Sequence, residues 1–185
     1  GTYKDGERDG FWKSYYDNGK LEEKGTLKNG KRDGLWKEYH DNGQLEEKGT
    51  YKDGKKEDGL WKEYHDNGQL WKEGTYKDGK RDGPYKEYYV INGQLRVEGT
   101  YKDGKEDGPY KYYYAYGQLK RKGTLKNGER DGLWKEYHDN GQLEEKGTYK
   151  DGERDGFWKS YYDNGKLEEK GTLKNGKRDG LWKEY

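Results

Sequence analysis

A Gly-Thr pair recurs along this chain at residues 1, 25, 49, 74, 99, 123, 147 and 171, and no other feature constrains the fold as strongly. The period is 24 residues, lengthened to 25 in the third and fourth copies. The units therefore run 1–24, 25–48, 49–73, 74–98, 99–122, 123–146 and 147–170, with a partial unit at 171–185. A unit of this size is one supersecondary element that cannot bury an apolar face alone, so it must stack on its neighbours. Residues 1–185 read as a single repeat array. Leu, Ile, Val and Phe together number 19, against 21 Tyr, 7 Trp and 31 Gly. That is too little aliphatic material for a conventional core. A compact enzyme domain, a helical bundle and a membrane span are excluded on that ground.

Each unit carries two turn signals. In the second copy they are Asn29-Gly30 followed by Asp33-Gly34, and then Asp41-Asn42-Gly43. The intervening runs are too short for helices, and their glycines oppose helix. The pattern predicts two antiparallel strands per repeat, Leu35 to His40 and Gln44 to Tyr51. It gives an all-β, elongated, single-layer meander of stacked hairpins that twists and coils. A two-residue loop would set Lys37 against Lys48 and Glu38 against Glu47, and like charges directly opposite are unfavourable. A three-residue loop with Gly43 left-handed pairs Lys37 with Glu47, Tyr39 with Leu45 and Leu35 with Gly49, and is preferred. The expected core face then holds Leu35, Tyr39, Leu45 and Tyr51. Trp36 and His40 fall on the other face, and Gly49 leaves room for a neighbouring ring.

The segment Asp-Gly-Leu-Trp-Lys-Glu-Tyr-His-Asp-Asn-Gly-Gln-Leu, at residues 33–45 and again near 58–70 and 131–143, resembles the bacterial MORN-repeat variant. It is similar to the arrays of YwqK-like antitoxin proteins, and the resemblance covers essentially the whole chain. The resemblance implies stacked β-hairpins and a binding or scaffolding role, with no catalytic residue. The fourth and fifth copies depart from it. Pro84-Tyr85 and Pro109-Tyr110 replace Leu-Trp, and the turns become Val90-Ile91-Asn92-Gly93 and Ala115-Tyr116-Gly117. Regular hairpin geometry is in doubt there.

Chemistry-bearing candidates are thin. His40, His65 and His138 occupy equivalent positions, and even in adjacent repeats such positions stand roughly 10 Å apart, so His40 and His65 are too far apart to share a zinc ion. The Asp-Gly turns offer calcium too few oxygens. There is no Cys, and Ser occurs only at Ser14 and Ser160, so no nucleophile constellation stands out. No catalytic, cofactor or metal residue is assigned. The charge, 39 Lys and Arg against 38 Asp and Glu, disfavours nucleic acid. Membrane association is disfavoured too, and no targeting segment is visible, so bacterial cytoplasm and cell surface both stay open. A start at Gly1, inside a repeat and without Met, is what a fragment or a processed piece would show. Residues 147–185 repeat 1–39 letter for letter, as a duplication, an engineered array or a longer natural array would.

The function expected is a non-enzymatic scaffold that binds another protein, an antitoxin or immunity role being one instance. The candidate patch is Trp71, Tyr89, Val90, Ile91, Tyr112, Tyr114 and Tyr116, a crowding of apolar side chains in an otherwise charged array. A second expectation is end-to-end self-assembly, pairing the edge Leu181, Trp182 and Tyr185 with Gly1, Thr2 and Tyr3 of the next chain. A third is a glycan stacked on an exposed Trp ladder.

Overall fold

The computed structural model describes residues 2–185, so Gly1 lies outside the described residues. All regular structure is β, in twenty antiparallel strands. The chain divides into two compact units, one ending at Gly93 and one running from Gln94 to Tyr185. Within each unit successive hairpins pair edge to edge as the repeat predicts.

Two turn types build each repeat. Asn29-Gly30 and Asp53-Gly54 have both residues at positive φ, 48° and 71°, then 49° and 82°. That is the twist a tight two-residue hairpin needs, and Asn-Gly and Asp-Gly adopt it at least cost. Some of these turns open a short strand, such as Lys31–Arg32, which pairs with the end of Leu21–Lys28, and others run directly into a long one, such as Lys80–Tyr88. The second turn is the three-residue loop Asp41-Asn42-Gly43. The His40 N–H donates to the Gln44 carbonyl at 2.8 Å, and Gly43 sits at φ 91°.

The three-residue loop is as expected, but its consequence for register is not. Tyr39 faces Leu45, and then a β-bulge takes up Glu46, so Glu38 faces Glu47 and Lys37 faces Lys48. One extra residue on one strand restores the like-charge register that the unbulged loop avoids. Leu35 consequently faces Thr50, and Gly49 faces Trp36.

This shift inverts the expected core. Trp36 is 2% exposed and Leu35 is 57% exposed. Of the proposed core face only Tyr51 lies with the buried side, its ring edge-on to Trp36 at 6.4 Å and to Trp61 at 5.1 Å. Trp36, Trp61, Trp134, Trp158 and Trp182 each lie over the glycine of the preceding Gly-Thr pair. A Cβ on Gly25 would meet the Trp36 ring at 2.3 Å, and one on Gly147 would meet the Trp158 ring at 2.2 Å. The indole N–H donates to the adjacent Thr carbonyl, Trp36 to Thr26 at 3.0 Å and Trp158 to Thr148 at 3.2 Å. In the lengthened third copy Trp61 turns instead to the Glu57 carbonyl, at 3.3 Å. Gly49 does make room for a neighbouring ring, that of Trp61, on the Trp side of the sheet.

The fifth copy keeps regular geometry despite its sequence. Gly108–Tyr113 pairs with Leu119–Lys126 through the same bulge, Tyr113 facing Leu119. In the fourth, the inserted residue lengthens the turn, so Gly93 N–H reaches the Tyr89 carbonyl at 2.8 Å across one more residue than usual.

The Trp-over-Gly contact makes a quantitative prediction. Gly147→Ala should destabilise the fold by about 1–3 kcal/mol through overpacking. Trp158→Ala should cost about 3–5 kcal/mol. In urea titrations the double variant should lose less than the two separate losses combined, because the methyl then enters the space the ring vacated.

Candidate interaction surfaces

The side chains at the three-residue loops tie each repeat to the next. Tyr16 donates its hydroxyl to the Tyr39 carbonyl, and His40 Nε2 meets the Tyr64 carbonyl at 3.0 Å. Tyr114 donates to the Tyr137 carbonyl at 3.1 Å, and His138 Nε2 meets the Tyr161 carbonyl at 2.8 Å. Two positions on, Asn42 reaches the Asp66 carbonyl at 2.6 Å and Asn140 the Asp163 carbonyl at 2.7 Å. These histidines act as stitches along the stack. Among the described residues no group of His, Cys, Asp or Glu is arranged to hold a metal ion.

The two sheet faces carry opposite charge patterns. On the Trp face, Glu23, Glu38, Glu47 and Glu63 face one another across successive strands. A cation just after the two-residue turn neutralises each: Arg32 pairs with both Glu23 and Glu38, Lys56 with Glu47 at 2.8 Å, and Arg81 with Glu63 at 2.9 Å. The same cations roof the aromatic rings, Arg32 at 4.5 Å from the Trp36 centroid and Lys56 at 4.0 Å from that of Trp61. The second unit repeats this arrangement, with Arg130 bound to Glu136 at 3.0 Å and to the Tyr149 hydroxyl at 2.6 Å. A charged side chain thus completes the core of a chain short of aliphatics. In the second unit burial raises the Glu145 carboxyl above its ordinary range, opposed by the Arg154 guanidinium at 2.6 Å.

The opposite face carries lysines in the same direct register. Lys13, Lys24, Lys37, Lys48 and Lys62 succeed one another on neighbouring strands of the first unit. The row then changes to Glu73, which pairs with Lys62 at 3.0 Å and accepts the Tyr88 hydroxyl at 2.7 Å. Beside this row stand exposed Phe11, Leu35 and Leu60. Neither row was legible in the preferred register, which interleaved Lys with Glu. The signal that marks them is the pair Trp-Lys and Lys-Gly-Thr in most repeats, read through the bulge.

The seven candidate patch residues divide between the units. In the first, Trp71 is 40% exposed with its ring 5.6 Å from that of His65, and the lengthened turn leaves Val90 and Ile91 43% and 74% exposed. Tyr89 is half-buried beside them in sequence. In the second, Tyr114 and Tyr116 stack at 5.2 Å with their planes 7° apart, Lys120 lying over Tyr114. Tyr112 is separate from that stack. It pairs with buried Val97 and lies under Arg121 at 4.8 Å. Of the assembly-edge residues, Thr2 and Tyr3 lie in Thr2–Lys4, which pairs with Glu7–Tyr15. Leu181 and Trp182 lie in Lys177–Glu184, which pairs with Leu167–Lys174, while Tyr185 follows it with Lys170 over its ring. The Trp ladder does not offer itself to a glycan, since Trp36, Trp61, Trp134 and Trp158 are only 2–4% exposed.

Compared with known families, the MORN repeat variant profile matches residues 8–29, 32–53, 57–78, 106–127, 130–151 and 154–175. A MORN repeat profile matches residues 73–84. No curated protein sequence matches the chain. No helix of the described residues is long and apolar enough to cross a membrane.

The Tyr88–Glu73 contact sets a pH signature. Burial, then the hydrogen bond to Glu73, pushes the Tyr88 hydroxyl from 10.0 up to about 12. The Tyr88 hydrogen bond, ahead of the Lys62 pair, holds the Glu73 carboxyl below its usual value. The stability contributed by neutral Tyr88 is complete below pH 10.0 and fades as pH rises through about 12. The Glu73 contribution is complete above the ordinary carboxylate range and fades as pH falls below it. The ultraviolet titration difference between wild type and Tyr88→Phe should therefore centre near 12.

Proposed function

The chain belongs to the MORN repeat variant family, and from that premise we propose that it is a non-enzymatic scaffold whose role is to bind another protein. MORN repeats in general are protein- or membrane-binding scaffold repeats. The observation that carries the reading is the lengthened turn of the fourth repeat. It holds Val90 and Ile91, 43% and 74% exposed, where the other complete repeats have an Asp-Asn-Gly or Ala-Tyr-Gly turn. Two exposed β-branched side chains in an array of charged turns contribute nothing to the Trp ladder, and desolvating them against a partner is favourable. The Tyr114–Tyr116 stack in the second unit supports a second contact of the same kind. An antitoxin or immunity role, as in the bacterial YwqK-like arrays, is one form such binding would take. The test uses the full chain as immobilised bait against a lysate of its source cells. A protein retained by wild type should be lost when Tyr89, Val90, Ile91 and Tyr116 are replaced by polar residues, with circular dichroism unchanged. A protein retained equally by both would refute the patch, and no retained protein at all would refute the scaffold.

A second reading is self-association through the edge strands. Among the described residues Lys177–Glu184 pairs with Leu167–Lys174 alone, and its Leu181 is 79% exposed. An unpaired strand edge with an apolar side chain is a template for another strand. Sedimentation velocity over a concentration series should show species that grow with concentration, and Leu181→Lys should suppress them. A single monomeric boundary at every concentration sinks this reading.

A further inference from the structure

In the second unit Lys122, Lys135, Lys146, Lys159, Lys170 and Lys183 stand on six successive long strands, each directly opposite the next. None of the six forms an ion pair among the described residues; four lie over the rings of Tyr137, Tyr161, Phe157 and Tyr185. Direct like-charge pairs oppose folding, and the fold does not require them. The row accepts Glu where Glu occurs, since Glu98 pairs with Lys111 at 2.6 Å. On the reverse face Glu136, Glu145 and Glu169 each have an arginine partner, at 3.0, 2.6 and 2.6 Å. The lysine row is thus a concentration of positive charge that the chain leaves uncompensated.

A second row runs beside it on the same face. Leu133, Phe157 and Leu181 are 55%, 53% and 79% exposed, each two residues before a lysine of the row and two long strands from the next. Pro109 continues this row, and a groove of about 340 Å³ lies there among Pro109, Leu133, Lys111, Lys122 and Lys135.

We propose that this face docks an acidic amphipathic α-helix of a partner protein, lying across the strands. The proposal rests on the protein-binding reading above and names the chemistry of one partner. Neighbouring strands lie about 4.8 Å apart, so the lysines recur at roughly that interval and the apolar side chains at roughly 9.6 Å. A helix advances about 5.4 Å per turn and about 10.5 Å per seven residues. One carboxylate per turn therefore meets one lysine per strand, and an apolar residue every seventh position meets Leu133, Phe157 and Leu181. The flexible lysine stems absorb the remaining difference, about 3 Å over the six. An extended peptide presents same-side residues every 6.6 Å or so and drifts out of phase within a few strands. A nucleic acid or an anionic bilayer would engage the lysines without regard to the two-strand interval of the apolar row.

The test is fluorescence anisotropy of the full chain with a synthetic helix of about 25 residues. The peptide carries Glu once per turn along one stripe and Leu at every seventh position beside it. Its controls are an isomer with both stripes scrambled, a single-stranded oligonucleotide and phosphatidylserine vesicles. The striped peptide should bind roughly tenfold or more tighter than its isomer, and Lys146→Glu or Phe157→Ser should each weaken it about tenfold. Lys146→Glu removes like-charge contacts, so it should be at least as stable in urea as wild type, and lost binding will not reflect unfolding. Equal affinity for both peptides, or binding of the oligonucleotide or vesicles without the striped peptide, overturns the helix proposal. The lysate experiment with the Tyr89, Val90, Ile91 and Tyr116 variant reads the scaffold function independently, so the two failures can be told apart.

Discussion

The structure depends on one contact, an indole ring laid across a glycine of the preceding hairpin. The Trp of each regular repeat from Trp36 onward needs a neighbour without a side chain, and the Gly-Thr pair supplies it with a backbone carbonyl for the indole N–H. Because ring and glycine come from different hairpins, each closed by its own three-residue loop, no hairpin holds its own core, and order spreads by addition of neighbours. The contact also explains how 19 aliphatic residues suffice. Tryptophan and tyrosine edges interlock within each unit, Trp36 to Tyr51 to Trp61 in the first and Trp134 to Tyr149 to Trp158 in the second. Arginines, themselves held by glutamates, close the outside of that row.

The bulge at Glu46 and its equivalents sorts the charges. By adding one residue between the loop and the strand body, it aligns Lys with Lys on one face and Glu with Glu on the other. The near-neutral total then conceals two faces of different character. The Glu face is internally satisfied and belongs to the core. The Lys face is not, and it also carries the exposed Leu and Phe row. A net charge of +1 therefore says little about what either face attracts.

The unit that best illustrates how stability and binding separate is the fourth repeat. Tyr85 replaces Trp and is still only 3% exposed over Gly74, so the ladder continues. Its altered turn, in contrast, exposes Val90 and Ile91. Tyr85 conserves the burial of the ladder, whereas the insertion at the turn changes only the surface.

The 24-residue period, the two turn signals and the scarcity of aliphatics determined by themselves that the chain is a stack of β-hairpins, because each follows from local backbone chemistry. Gly43 in a three-residue loop and the role of Gly49 as space for a ring were legible for the same reason. Which face is the core was not. Alternation places Leu35 and Trp36 on opposite sides but cannot say which side is covered, and a single bulge residue reverses every cross-strand partner beyond it. Only neighbouring hairpins could decide that, since Trp36 lies over Gly25 and Trp61 over Gly49, each a residue of the hairpin before it. The lysine row became visible by the same step, for a charge has like neighbours on either side only once the register is set in three dimensions.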